Sequence, residues 1–177
     1  MNDRLHYGTP AKVFHWLIVA LLAVQFPIGW LMPDVHAGPP GRAMTLHMSF
    51  GLTILALLML RLLWRIFHPV APESSLPPWQ RVSSEAVHWL LYLLVLVTTI
   101  TGWLFASFRG WSLTYFDLVP LPMLVQKNAV AIHQIDGWHQ VAEWGLLITI
   151  CIHVGAALIH IFIYRDGVMQ RMLPTRR

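Results

Sequence analysis

The sequence predicts an all-α integral membrane protein, a four-helix bundle whose helices run alternately up and down. Hydrophobic residues make up 56% of the 177-residue chain and charged residues only 11%, whereas soluble domains carry about 25% charged residues. A helix needs roughly 20 apolar residues to cross a bilayer, and four segments reach that length. Lipid is therefore the expected solvent for most of the chain, which we interpret as a single domain over residues 1–177.

Each predicted helix has a polar or proline-rich boundary. The first, about residues 12–32, follows a polar N-terminus and is too long for a signal-peptide core, so it is expected to stay as an anchor. The second and third, about residues 43–67 and 83–107, follow short proline-rich connections, which favour antiparallel neighbours. The fourth, about residues 133–164, follows the longest connection, and prolines interrupt that connection.

Most basic residues fall on one side of the predicted bundle: Arg4, Lys12, Arg61, Arg65, Arg81, Arg165, Arg171, Arg176 and Arg177. The positive-inside rule therefore places both termini in the cytoplasm, with the C-terminal arginines against lipid headgroups. Because these residues border apolar segments and form no single face, nucleic-acid binding is not expected. Only three basic residues fall on the outer side: Arg42, Arg109 and Lys127. Five tryptophans are expected in interfacial aromatic belts: Trp30, Trp64, Trp79, Trp111 and Trp138.

Histidines are the notable ionisable residues of the predicted helices, and such residues at membrane depth are by default candidates for a functional site. His15 lies near the inner end of the first helix, and His47 near the outer start of the second. On the fourth helix, fourteen residues separate His139 from His153, which places both on one face about 21 Å apart. Their depths match His139 with His47 and His153 with His15.

Paired imidazoles that face each other across a bundle suit axial ligation of haem iron. A zinc site needs three or four ligands at one level, and Cys151 as the single cysteine cannot form a cysteine-based site. Haem is therefore the better match. Several small residues either make room for porphyrin planes or serve close helix packing: Gly51, Gly102, Gly145, Gly155, Ala156 and Ala157.

Fragments along nearly the whole chain resemble the bacterial cytochrome b561 family, and their order and spacing make the resemblance specific. The first half contains Phe14-His15-Trp16-Leu17, Leu46-His47-Met48-Ser49-Phe50-Gly51, Arg61-Leu62-Leu63-Trp64-Arg65, and His88-Trp89-Leu90-Leu91-Tyr92. The second half contains Thr101-Gly102-Trp103, Trp138-His139-Gln140, His153-Val154-Gly155-Ala156-Ala157-Leu158-Ile159-His160, and Tyr164-Arg165-Asp166.

The resemblance implies two haems b in a multi-pass protein of the bacterial inner membrane. It makes His15 and His153 the iron ligands of the cytoplasmic-side haem, and His47 and His139 those of the periplasmic-side haem. These are the pairs that the depths of the residues also match.

The resemblance also implies exchange of electrons with ubiquinone, and the histidine that matches the family's quinone contact is His160. One branch of the family oxidises superoxide outside the membrane and reduces quinone at the inner side. We therefore expect an oxidoreductase in which superoxide, or another small one-electron donor, reduces the outer haem. Ubiquinone is then reduced near His160 and Trp16 or His88. Because paired ligands leave no open position on iron, no side chain is expected to act as a catalytic residue.

An alternative function is an electron-transfer anchor subunit that docks a periplasmic redox partner. Three outer basic residues are balanced by Asp34, Asp117 and Asp136, so net charge gives no steering of superoxide.

His88 is an alternative to His15 as the inner ligand, since it lies near the inner end of the third helix, one turn from Glu85. It otherwise contacts a haem propionate or a quinone, or lies at the interface. Leu146, halfway between His139 and His153, is expected to fill the gap between the haems. Four further histidines are interpreted as solvated: His6, His36, His68 and His133.

Overall fold

The computed structural model of the chain describes residues 7–32, 40–70 and 76–173. These residues contain four long helices, all apolar enough to cross a membrane, which confirms the predicted fold class. They are α1 (Thr9–Leu31), α2 (Arg42–Phe67), α3 (Pro78–Arg109) and α4 (Ala129–Ile159). A π-helical turn (His160–Tyr164) and a short 3-10 helix (Met169–Arg171) follow α4. Expectations for His6, Asp34, His36, Arg4, Arg176 and Arg177 lie outside the described residues.

Consecutive helices are antiparallel neighbours. Gln25 near the end of α1 donates to the carbonyl of His47 near the start of α2, at 2.9 Å. Trp16 near the start of α1 donates its indole N–H to the carbonyl of Met172, beyond α4, at 3.1 Å. We call the end of the bundle where α1 begins and α4 finishes the inner end, and the opposite end the outer end. That the inner end faces the cytoplasm stays a prediction.

α3 and α4 begin before the boundaries that the apolar pattern predicted, because the residues at their starts suit the first helical turn. α3 begins at Pro78, which suits a first helical position since that position needs no N–H donor. α4 begins at Ala129, and the side chain of Asn128 accepts hydrogen bonds from the backbone N–H groups of Val130 and Ala131. The helices therefore extend past their most apolar cores.

The third connection forms a small hairpin that packs on α2 at the outer end. Its strands are β1 (Thr114–Tyr115) and β2 (Val119–Pro120), which pair antiparallel. The backbone N–H of Phe116 donates to the hydroxyl of Ser49 at 2.8 Å, and Ser49 is fully buried, with 0% exposure. The Tyr115 hydroxyl lies 3.0 Å from the hydroxyl of Thr53. The connection thus contributes to the core of the bundle.

Trp111 corrects one expectation, because it is buried in the outer core instead of lying in an interfacial belt. The chain reverses at Gly110, which adopts a left-handed conformation with φ of 70°. The ring of Trp111 then meets the ring of Phe105 edge-on, with their centroids 5.7 Å apart, and the guanidinium of Arg109 lies 4.8 Å from the centroid of the Trp111 ring. Trp30, Trp79 and Trp138 are exposed, as expected for interfacial residues.

We expect Ser49→Ala to lower the apparent midpoint of thermal unfolding in detergent. The substitution leaves the buried N–H of Phe116 without its acceptor, which costs about 1–3 kcal/mol. Ser83→Ala is the matched control, since that exposed hydroxyl bonds only the carbonyl of Trp79 in its own helix. Equal midpoints for the two variants would show that the hairpin anchor contributes nothing to stability.

Candidate functional site

A cavity lies among the outer halves of the four helices, and His47 and His139 both line it. About 620 Å³ of space among these residues is free of protein atoms, and part of it is open to the surroundings. Most of the lining side chains are apolar. The polar or charged ones, apart from the histidines, are Gln25, Thr98, Thr99 and Glu143.

His139 is held on one ring nitrogen by α3. Its Nδ1 lies 2.9 Å from the carbonyl of Thr98 and 3.2 Å from the hydroxyl of Thr101. A histidine that donates Nδ1–H to a carbonyl presents an unprotonated Nε2, the form that binds metals. Gly102 permits this close approach, because a Cβ there would lie 3.0 Å from Cε1 of His139.

His47 leaves polar atoms unpaired beside the same cavity. Its Nδ1 is buried without a hydrogen-bond partner in the described part of the chain, as is Oε1 of Gln25. Buried polar atoms are nearly always paired, so such exceptions require an explanation. Two imidazoles, an apolar cavity and unpaired polar atoms fit a flat cofactor bound through its metal.

The inner end brings three histidines together. The ring centroids of His15 and His153 are 6.4 Å apart, and those of His88 and His153 are 5.2 Å apart. Two opposed imidazoles, each about 2 Å from a shared metal, have centroids about 6 Å apart. The pair of His15 and His153 has this spacing, whereas His88 is closer to His153. Sequence reasoning had matched His15 with His153 from depth alone.

His88 bonds its own helix. Its Nδ1 donates to the carbonyl of Ser84 at 2.6 Å, whereas Glu85, which the sequence had suggested as a neighbour, is exposed. Across the described segments, no three residues among histidine, cysteine, aspartate and glutamate are arranged to hold a metal ion together.

Two arginines of α2 lie next to the inner histidines. Arg61 is only 8% exposed, and it donates to the carbonyl of Ala11 at 3.0 Å and to the hydroxyl of Tyr92 at 3.2 Å. The guanidinium of Arg65 lies 5.1 Å from the ring of Trp89. From the sequence alone, these arginines indicated only orientation. Two cations four residues apart in the otherwise apolar segment 54–67 are the sequence signal for the buried position of Arg61.

His160 has a carboxylate partner that the sequence analysis missed. Its Nδ1 lies 2.6 Å from Oδ2 of Asp166, and the other carboxylate oxygen accepts the backbone N–H of Val168 at 3.1 Å. The π-helical turn and Arg165, whose φ is 51°, carry the chain back so that the two side chains meet. Trp16, which the sequence also suggested for the quinone site, donates its indole N–H to the carbonyl of Met172.

The small residues divide between two roles. A Cβ at Gly145 would meet Leu94 at 3.4 Å, and one at Gly51 would meet Gln25 at 3.4 Å, which is close packing between helices. A Cβ at Gly155 would meet no atom of another helix within 4 Å among the described residues. Both described histidines interpreted as solvated, His68 and His133, are exposed.

Comparison with known proteins finds relatives along nearly the whole chain. The sequence pattern of the prokaryotic cytochrome b561 family matches residues 6–175. Cytochrome b561 homolog 2 of Escherichia coli K12 is 29% identical over 97% of this chain and 93% of its own. The probable superoxide oxidase CybB of Yersinia pestis is 29% identical over 92% and 93%. Cytochrome b562 of Cereibacter sphaeroides is 24% identical over 99% and 100%.

We expect Gly102→Ala to lower the haem content of the purified protein, because the new methyl group displaces the ring of His139. Gly155→Ala is the control, since its added methyl group meets nothing. Haem per protein, measured from absorption, should fall in the first variant and stay normal in the second. Normal haem content in Gly102→Ala would contradict a tight fit of His139 against α3.

Proposed function

The chain belongs to the prokaryotic cytochrome b561 family, and from this premise we propose a specific function for it. Membership makes it a multi-pass membrane protein that binds b-type haem and transfers electrons. We propose that it holds two haems b in the bacterial inner membrane and passes electrons from its periplasmic side to ubiquinone. The preferred donor is superoxide. The observation that carries the proposal is the placement of histidine pairs at two depths of one bundle.

The outer haem would be held by His47 and His139. Both side chains line one cavity, and the Thr98 carbonyl fixes the tautomer of His139 that suits ligation. Family membership and the unpaired atoms beside His47 support the same assignment.

The inner haem would be held by His15 and His153. Their centroid spacing of 6.4 Å supports this pair over His88 and His153. His88 would then lie beside the haem, with Nδ1 tied to Ser84 and Nε2 available to a propionate or a quinone.

The bound haems supply one-electron chemistry through their edges, since paired histidine ligands leave no open coordination position. The protein provides burial and orientation. Leu146, at 3% exposure, lies on the ligand face of α4 between the levels of His139 and His153. It keeps water out of the space between the two sites.

Quinone reduction would take place at the inner end beside His160. Because Asp166 accepts from Nδ1, the Nε2 atom of His160 faces outward from the pair, and it has no partner among the described residues. When the His160 ring carries a second proton, Asp166 balances its positive charge, and the proton on Nε2 can pass to a quinone oxygen. Two superoxide anions, one quinone and two protons then give two molecules of oxygen and one quinol.

Superoxide is proposed as the donor because a relative that covers 92% of this chain is named a probable superoxide oxidase. The alternative is an anchor subunit for a periplasmic redox protein. Exposed apolar residues of the outer connection favour it: Leu118 is 81% exposed and Val119 is 55% exposed. Such residues are suited to a docking surface.

Single histidine-to-alanine variants test the ligand pairs. His47→Ala and His139→Ala should each disturb one haem, while His15→Ala and His153→Ala should disturb the other. His88→Ala is the comparison and should keep both haems. Pyridine-haem determination gives the number of haems per protein, and low-temperature spectra show which of the two haems is disturbed. Two normal haems in all four ligand variants, or loss of a haem in His88→Ala, would refute the assignment.

Stopped-flow absorption tests the donor. Purified protein in detergent with ubiquinone should show rapid haem reduction by superoxide, and superoxide dismutase should abolish it. His139→Ala should slow the reaction by at least about tenfold, because the outer haem is the entry point. Reduction that requires an added periplasmic protein would support the anchor-subunit alternative and contradict the oxidase.

A further inference from the structure

The two sites differ in the charged side chain that lies beside them. The outer cavity contains a carboxylate, Glu143, and the inner histidines lie near a guanidinium, Arg61. Neither charge is paired with an opposite charge in the described part of the chain. Arg61 is 8% exposed and Glu143 is half-buried, so water screens both charges less than it screens a charge on the surface.

Glu143 is fixed at the outer site. It follows His139 by one helical turn, so both side chains lie on the same side of α4. Its Oε1 accepts the indole N–H of Trp30 at 3.0 Å, and the stacked rings of Trp30 and Trp144 pack at 6.4 Å. An indole is a neutral donor, so this hydrogen bond orients the carboxylate without neutralising its negative charge. That charge, like that of Asp136, acts on His139.

Arg61 is fixed at the inner site in the same manner. Its two described partners, the Ala11 carbonyl and the Tyr92 hydroxyl, are neutral. Its charge acts on His15, His88 and His153, and Arg65 adds to it at His88. Asp166, a carboxylate at this end, is bonded to His160 at 2.6 Å.

Reduction adds one negative charge to a haem. A nearby carboxylate disfavours the reduced form and lowers the reduction potential, whereas a nearby guanidinium raises it. We propose that Glu143 and Arg61 set the order of the two haem potentials, with the outer haem lower and the inner haem higher. Electron transfer from the outer to the inner haem is then downhill. The inference rests on the two-haem assignment of the proposed function.

Equilibrium redox titration of the intact protein tests the inference. Glu143→Gln keeps an oxygen acceptor for Trp30 and removes the charge, so it should raise the lower midpoint potential. Arg61→Gln should lower the higher one. In protein that carries one electron, each substitution should change the ratio of molecules with a reduced inner haem to molecules with a reduced outer haem roughly tenfold. Arg61→Lys, which retains the charge, should keep the wild-type separation. Glu85→Gln and Arg81→Gln are controls at exposed positions of α3.

Two single-haem variants show which midpoint potential belongs to which haem. His153→Ala, which keeps the outer haem, should retain the Glu143→Gln shift, and His139→Ala, which keeps the inner haem, should retain the Arg61→Gln shift. If one of these histidine variants does not fold, the difference between the two midpoint potentials in the two-haem protein still tests the inference, because Glu143→Gln and Arg61→Gln should each make it smaller. Unchanged or widened separation in Glu143→Gln would overturn the inference. A wild-type protein with one haem would instead overturn the proposed function.

Discussion

An imidazole inside an apolar bundle needs a hydrogen-bond partner for its N–H, and the site depends on how the chain meets that need. His139 uses a carbonyl of the neighbouring helix, and His88 uses a carbonyl of its own helix. His160 uses a carboxylate beyond the end of α4. In each case the bond is made through Nδ1, which leaves Nε2 for a metal, a propionate or a substrate.

The helices pack chiefly as two pairs, α1 with α2 and α3 with α4. Each proposed haem would take one ligand from the first pair and one from the second: His47 with His139, and His15 with His153. A bound haem therefore joins the two halves of the bundle. The direct contacts between the halves are few but specific, such as the Trp30–Glu143 bond. With these ligands, cofactor binding and completion of the bundle would be linked.

Sequence alone predicted the spans and the matching of histidines by depth, because apolar length and helical periodicity fix where a residue lies across the bilayer. It could not predict partners that are backbone carbonyls, since any residue type supplies one. The carbonyls of Thr98 and Ser84 are examples. It also missed Asp166, whose approach to His160 depends on a π-helical turn, and the burial of Trp111, which follows from a chain reversal.

The inner end is closed by bonds between distant parts of the chain. Lys12 donates to the carbonyl of Leu173 at 2.7 Å, across 161 residues of sequence, and Trp16 reaches Met172. Since a ribosome makes the chain from its N-terminal side, α1 enters the membrane long before these acceptors are synthesised. During biogenesis α1 can pack against α2 first, and its inner end gains its bonds to residues 172 and 173 only after those residues have been translated.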